Sequence, residues 1–227
     1  MLNALRPFLA RLLNPVGEAL ARTPITPNMI TVIGTVGMTA GALTLFPAGE
    51  LFAGTMVCTF FVIADMLDGV LARLKGTSGG FGAFLDSTLD RVSDSAVFAG
   101  LTIWLARGGH QPGLALVALY CLVAGGLVSY ARARAEGIGV RADVGFAERS
   151  ERLVIGLGAA GLTGLGVPFV LPIGLWALAV LSTITFVQRV LVVRKAVLAG
   201  AGGAPAAASG DSGHAGVDRE NGGTGRT

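Results

Sequence analysis

Six long apolar runs separated by short polar breaks fill most of the chain. They cover residues 29–47, 51–74, 81–106, 112–135, 153–169 and 171–194. A helix needs about 20 mostly apolar residues to cross the hydrocarbon core of a bilayer. The pattern therefore predicts an all-α protein built as a six-helix transmembrane bundle. The breaks fall at Pro47-Ala48-Gly49-Glu50, at Gly108-Gly109-His110-Gln111-Pro112, and near Pro168 and Pro172. Ahead of the first run the periodicity differs. Leu2, Leu5, Phe8, Leu9, Leu12, Leu13, Val16 and Leu20 recur at helical spacing, with Arg6, Arg11 and Arg22 elsewhere. That is the pattern of an amphipathic helix lying on the membrane surface, with Pro7 and Pro15 expected to kink or break it. Asn28, after Thr26-Pro27, is expected to cap the first span. Three regions result: an interfacial helix over 1–25, a membrane domain over 26–199, and a Gly/Ala/Ser-rich tail over 200–227 that is expected to be disordered.

Composition sharpens this picture. Of 227 residues, 52% are hydrophobic and 14% charged. A soluble domain carries about 25% charged residues, so a soluble globular protein and a nucleic-acid module are excluded. Cys58 and Cys121 lie inside apolar runs and read as packing residues, with no disulfide framework and no zinc spacing. The net charge of +3 is small, but its placement is informative. Arg6, Arg11, Arg22, Arg73, Lys75, Arg132, Arg134, Arg141, Arg149, Arg152, Arg194 and Lys195 fall on the side of the termini, against Arg107 alone on the other. The positive-inside rule makes the terminal side cytoplasmic. The expectation is a multi-pass protein of the cell membrane whose active site faces the cytoplasm.

Five of the eight aspartates lie within thirty residues: Asp65, Asp68, Asp86, Asp90 and Asp94. A charged side chain inside a membrane segment costs a few kcal/mol and requires a partner. Asp65 and Asp68 are spaced i, i+3; Asp86, Asp90 and Asp94 follow at i, i+4. Each set shares a helix face. If the two faces meet, four carboxylates converge, and hard divalent cations such as Mg²⁺ or Mn²⁺ are the natural counter-charge. Gly69 leaves the helix backbone approachable, Arg73 is placed for a phosphate, and Gly82 permits close helix contact. This set suits a diphosphate attached to a lipid tail. The plainer alternative is a row of polar residues paired with Arg73 and Arg91.

The stretch Asp65-Met66-Leu67-Asp68-Gly69-Val70-Leu71-Ala72-Arg73, followed after eight residues by Gly82-Ala83-Phe84-Leu85-Asp86-Ser87-Thr88-Leu89-Asp90, resembles the signature of the CDP-alcohol phosphotransferases. It matches D-x2-D-G-x2-A-R-x8-G-x3-D-x3-D at every fixed position. The resemblance implies transfer of a phosphatidyl group from a CDP-linked lipid, CDP-diacylglycerol, to an acceptor hydroxyl, with release of CMP. It implies that Asp65, Asp68, Asp86 and Asp90 hold two Mg²⁺ or Mn²⁺ ions, and that Asp90 is also the general base. It further implies that Asn28, Thr31, Gly69, Ala72 and Arg73 contact the CDP-lipid.

A second basic cluster bears on the acceptor. Arg132 and Arg134 end the fourth run, Arg141, Arg149 and Arg152 lead into the fifth, and Arg189 sits alone near the end of the sixth. Arg134, Arg141, Arg149 and Arg194 read as topology markers. Arg132, Arg152 and Arg189 read as ligands of an acceptor phosphate, since guanidinium groups suit a phosphate dianion. The segments 129–136 and 145–153 resemble the bacterial phosphatidylinositol phosphate synthase branch of the family. That branch implies inositol 1-phosphate as acceptor and a homodimer. The rivals are a glycerol 3-phosphate acceptor, an intramembrane prenyltransferase, which would lack the D-G-x2-A-R string, and a divalent-cation transporter, which would want acids in the outer halves 51–59 and 98–106.

Overall fold

A computed structural model describes the backbone of residues 6–77, 79–145 and 149–200, with side chains from residue 14 onward. The described residues form seven helices: α1 (Arg6–Ala21), α2 (Pro27–Leu45), α3 (Leu51–Lys75), α4 (Gly80–Arg107), α5 (Pro112–Glu136), α6 (Arg149–Gly164) and α7 (Val170–Leu198). No strand occurs among them. The expected disorder of the tail from residue 201, and the Leu2 to Leu13 side chains of the amphipathic pattern, lie outside the described residues.

Local chemistry sets the helix ends. Thr26, not Asn28, caps α2. Its side chain accepts the Met29 amide at 3.3 Å, and Pro27 occupies the first helical turn, where its missing N–H costs nothing. Asn28 is thereby left inside the first turn with its side chain free to point elsewhere. α1 runs unbroken through Pro15, contrary to the expected break. Gly17 of α1 meets Val70 and Leu74 of α3, and the Lys75 ammonium ties the α1–α2 connection to α3 by donating to the Thr23 and Ile25 carbonyls, each at 2.8 Å. α3 ends at Gly76, whose φ of 64° is left-handed. The amides of Gly76 and Thr77 cap the Arg73 and Ala72 carbonyls, and α4 begins within a few residues.

The helices α2 to α7 close a circuit of neighbours. α2 packs on α3 and α4, α4 on α5, α5 on α7, α7 on α6, and α6 on α3, while α4 and α6 touch across the middle. Small residues permit the close crossings. At Gly100 a Cβ would collide with the Ala42 carbonyl of α2, and at Gly164 it would come within 2.5 Å of the Phe52 amide of α3. The core is apolar, with Phe46, Phe98, Leu101, Leu175 and Leu178 buried. Cys58 and Cys121 lie within it as free thiols, and each donates to a carbonyl of a neighbouring helix.

Four helices, α2, α3, α5 and α7, are long and apolar enough to cross a membrane. The sequence pattern predicts six. The two that differ are α4, which carries Asp86, Asp90, Arg91 and Asp94, and α6, which has 16 residues and begins at Arg149 instead of 153. Those two helices carry the charged interior described next.

Candidate active site

The paired carboxylates come from facing ends of two consecutive helices. α3 ends at Gly76, and the end of α3 and the start of α4 both pack on α2. One carboxylate oxygen from each of Asp65, Asp68 and Asp86 then falls within 4.8 Å of the others. All three are half-buried. The start of α2 completes this side: the Thr31 hydroxyl donates to Asp68 Oδ2 at 2.6 Å, and a Cβ on Gly34 would lie 3.5 Å from Asp65 Oδ1. The donor set is oxygen only, anionic, and drawn from rigid helices. That is the chemistry of a site for Mg²⁺ or Mn²⁺, not for a soft metal.

Asp90 is one turn beyond Asp86 and is held differently. Its Oδ1 forms an ion pair with Nη2 of Arg149 at 2.9 Å, and its Oδ2 lies 3.8 Å from Arg91. Arg149 also reaches Asp65 at 3.8 Å and Asp94 at 3.4 Å. The sequence reading of Arg149 as a topology marker is therefore corrected: its guanidinium sits among three carboxylates. The signal was present in the spacing, since Arg149 and Arg152 are i, i+3 and share a helix face once α6 begins at 149.

Around the cluster, Gly69 faces open space with only the Arg73 guanidinium near, and Gly82 faces the Asn28 side chain, 3.5 Å from where a Cβ would be. Asn28, Gly69, Arg73 and Gly82 thus border the same end of the α2–α3–α4 group. Ala72 is half-buried beside them.

The three arginines expected at the acceptor phosphate differ in setting. Arg152 and Arg189 are each only 2% exposed. Arg152 donates to Asp94 and lies against Gly125 of α5, where a Cβ would be 3.0 Å from its Cζ. Arg189 donates from Nη1 to the Val128 carbonyl at 2.7 Å and from Nε to the Val144 carbonyl at 3.1 Å. Arg132 is more open and pairs with Glu136 at 3.1 Å and Asp143 at 2.8 Å. Their contacts at Gly125, Val128 and Arg132 climb one face of α5, turn by turn. Phe146, Ala147 and Glu148 of the expected acceptor segment lie outside the described residues. An apolar cavity of about 610 Å³ lies between α5 and α7 near Tyr120 and Trp176, and no charged residue lines it.

The profile of the CDP-alcohol phosphatidyltransferase family matches residues 24–200. The phosphatidylinositol phosphate synthase of Streptomyces avermitilis is 48% identical over 197 residues, covering 84% of this chain and 81% of its own. That of Mycolicibacterium smegmatis is 49% identical over 192 residues, covering 83% and 86%. Among solved structures, Mycobacterium tuberculosis phosphatidylinositol phosphate synthase with CDP-DAG bound superposes with a TM-score of 0.76 at 48% identity, over 81% of this chain and 94% of that one. The same enzyme in complex with manganese and citrate gives a TM-score of 0.76 over 80% and 88%.

Proposed function

The chain belongs to the CDP-alcohol phosphatidyltransferase family, and from that premise we propose that it is a phosphatidylinositol phosphate synthase. It transfers the phosphatidyl group of CDP-diacylglycerol to inositol 1-phosphate and releases CMP. The observation that carries the acceptor assignment is the pair of buried guanidiniums: Arg152, which an ion pair joins to Asp94 beside the carboxylate cluster, and Arg189 on α7. Relatives of nearly half-identical sequence bear the same name. Burying a guanidinium costs several kcal/mol, and guanidiniums suit a phosphate dianion.

Asp65, Asp68, Asp86 and Asp90 would hold two divalent ions; the converging oxygens of Asp65, Asp68 and Asp86 fit such ions, Asp90 joins them one turn further along α4, and a manganese complex of the tuberculosis enzyme supports the choice of metal. Such ions supply charge neutralisation on the departing CMP and orientation of the diphosphate. The protein's own residues do the rest. Asn28, Thr31, Gly69, Ala72 and Arg73 receive the cytidine diphosphate, with Gly69 leaving room and Arg73 meeting a phosphate. Asp90 takes the proton from the attacking hydroxyl, and Arg149, 2.9 Å away, orients its carboxylate. Arg132, Arg152 and Arg189 hold the acceptor phosphate.

We place the membrane domain at 26–199 with six spans, α4 and α6 completing the circuit that the four apolar helices begin. The interfacial helix over 1–25 lies along the cytoplasmic surface, where Lys75 anchors its exit. The tail over 200–227 is cytoplasmic. Both termini and the active site face the cytoplasm, and the enzyme works as a homodimer in the cell membrane.

The test is an acceptor panel. Purified full-length protein with Mg²⁺ and CDP-diacylglycerol is offered inositol 1-phosphate, inositol, glycerol 3-phosphate or serine, and CMP release is measured. Release with inositol 1-phosphate alone is expected. Release with glycerol 3-phosphate alone would overturn the acceptor, and no release with any of them would overturn the reaction.

A further inference from the structure

The signature ends at Asp90, but the acidic face of α4 continues for one more turn, to Asp94. This carboxylate is 5% exposed, the most buried acid among the described residues. Its two oxygens face two different arginines of α6. Oδ2 accepts Nη2 of Arg152. Oδ1 has no hydrogen-bond partner in good geometry and lies 3.4 Å from Nε of Arg149. The same Arg149 guanidinium forms an ion pair with Asp90, the proposed base, at 2.9 Å. On the far side of Arg152, α5 presents Gly125, where any Cβ would press on the guanidinium. Asp94 is thus the point where the acidic cluster and the arginine cluster meet.

We propose that Asp94 is a positioning residue that fixes both arginines: Arg152 at the acceptor phosphate and Arg149 on the Asp90 carboxylate. This rests on the acceptor-site reading of Arg152 given above. The physical argument is one of competing carboxylates. An arginine side chain is long and rotatable, and in a medium of low dielectric its head goes to the nearest anion. Asp65 and Asp90 lie within reach of Arg149, so without Asp94 the α6 guanidiniums are drawn toward the base and the metal-binding acids and away from the acceptor. Asp94 holds Arg152 back and sets the angle from which Arg149 approaches. Gly125 serves the same end from the opposite wall, because only a residue without Cβ leaves the guanidinium its place.

The experiment compares Asp94→Asn with wild type in the full-length protein. It measures Michaelis constants for inositol 1-phosphate and CDP-diacylglycerol, kcat, and the melting temperature. Positioning predicts that the acceptor KM rises about tenfold or more while the CDP-diacylglycerol KM stays within about twofold. Gly125→Ala, which displaces Arg152 and leaves Asp94 intact, should show the same split. An unchanged acceptor KM, or equal changes in both constants, overturns the proposal. Where Asp94→Asn does not fold, Asp94→Glu keeps the charge and moves the carboxylate by one methylene. It must show the same split at smaller size, and its absence is equally fatal. Wild-type protein that turns over only unphosphorylated acceptors, or none, overturns the functional reading and this inference with it. Wild-type activity with unaltered variants overturns this inference alone.

Discussion

The aspartates of α3 and α4 and the arginines of α5, α6 and α7 form two halves of one polar interior, yet they are built in opposite ways. The acids come from 26 consecutive residues joined by one tight turn. Their meeting is decided by helical spacing and by Gly76. The arginines come from three helices and span nearly sixty residues, and Arg152 and Arg189 reach the α5 face that carries Arg132 only because the circuit of helices closes. The converging acids Asp65, Asp68 and Asp86 are half-buried, as a site that exchanges metal and nucleotide requires. Arg152 and Arg189 are buried and fully engaged with Asp94 and with backbone carbonyls. Chemistry common to a family can reside in a short rigid motif. Choice of acceptor can reside in long-range packing, where a few substitutions retune it.

The contrast can be broken most severely at its acidic end. Asp90→Asn should lower CMP release by about 10²–10⁴-fold, the range of general-base removal, while CDP-diacylglycerol binding is retained. Turnover within a few-fold of wild type would dismiss Asp90 as the base. Next in size, Asp86→Asn should weaken Mn²⁺ binding, read by electron paramagnetic resonance, by at least about tenfold. Chelation of the wild type should abolish CMP release, and Mg²⁺ or Mn²⁺ should restore it. Unaltered Mn²⁺ affinity would show that the three converging acids do not form the metal site. The smallest effect is expected at Arg132. It is the most exposed of the three acceptor arginines and already pairs with Glu136 and Asp143. Arg132→Gln should raise the acceptor KM by only about two- to threefold, as for an exposed ion pair worth about 0.5 kcal/mol. A much larger rise would place Arg132 at the centre of the phosphate site.

The same contrast explains what was legible in the sequence. The convergence of Asp65, Asp68 and Asp86 was readable, because i, i+3 and i, i+4 spacing fixes a helix face without knowledge of the fold; the fourth expected carboxylate, Asp90, instead pairs with Arg149. The burial of Arg189 was readable too, since no other charge lies near it in an apolar run. Arg149 was not, because a charged stretch before an apolar run looks like a loop until the helix start is known. The start of α6 at residue 149 turns a topology marker into a partner of Asp90. The cap of α2 was misassigned although Thr26-Pro27 carries the signal: a hydroxyl followed by proline at the first helical position. Span number was read from apolar length alone. α4 and α6 are the helices whose charges face one another across the interior, so their composition departs from that of their neighbours.

Labour is divided within this interior: Asp65, Asp68 and Asp86 serve the donor, and Arg132, Arg152 and Arg189 serve the acceptor. The most direct test of this division is the pair of Michaelis constants in Arg152→Gln. The account predicts an acceptor KM raised by about tenfold or more with the CDP-diacylglycerol KM unchanged. A variant in which both constants rise together, or in which only the CDP-diacylglycerol constant rises, would contradict it.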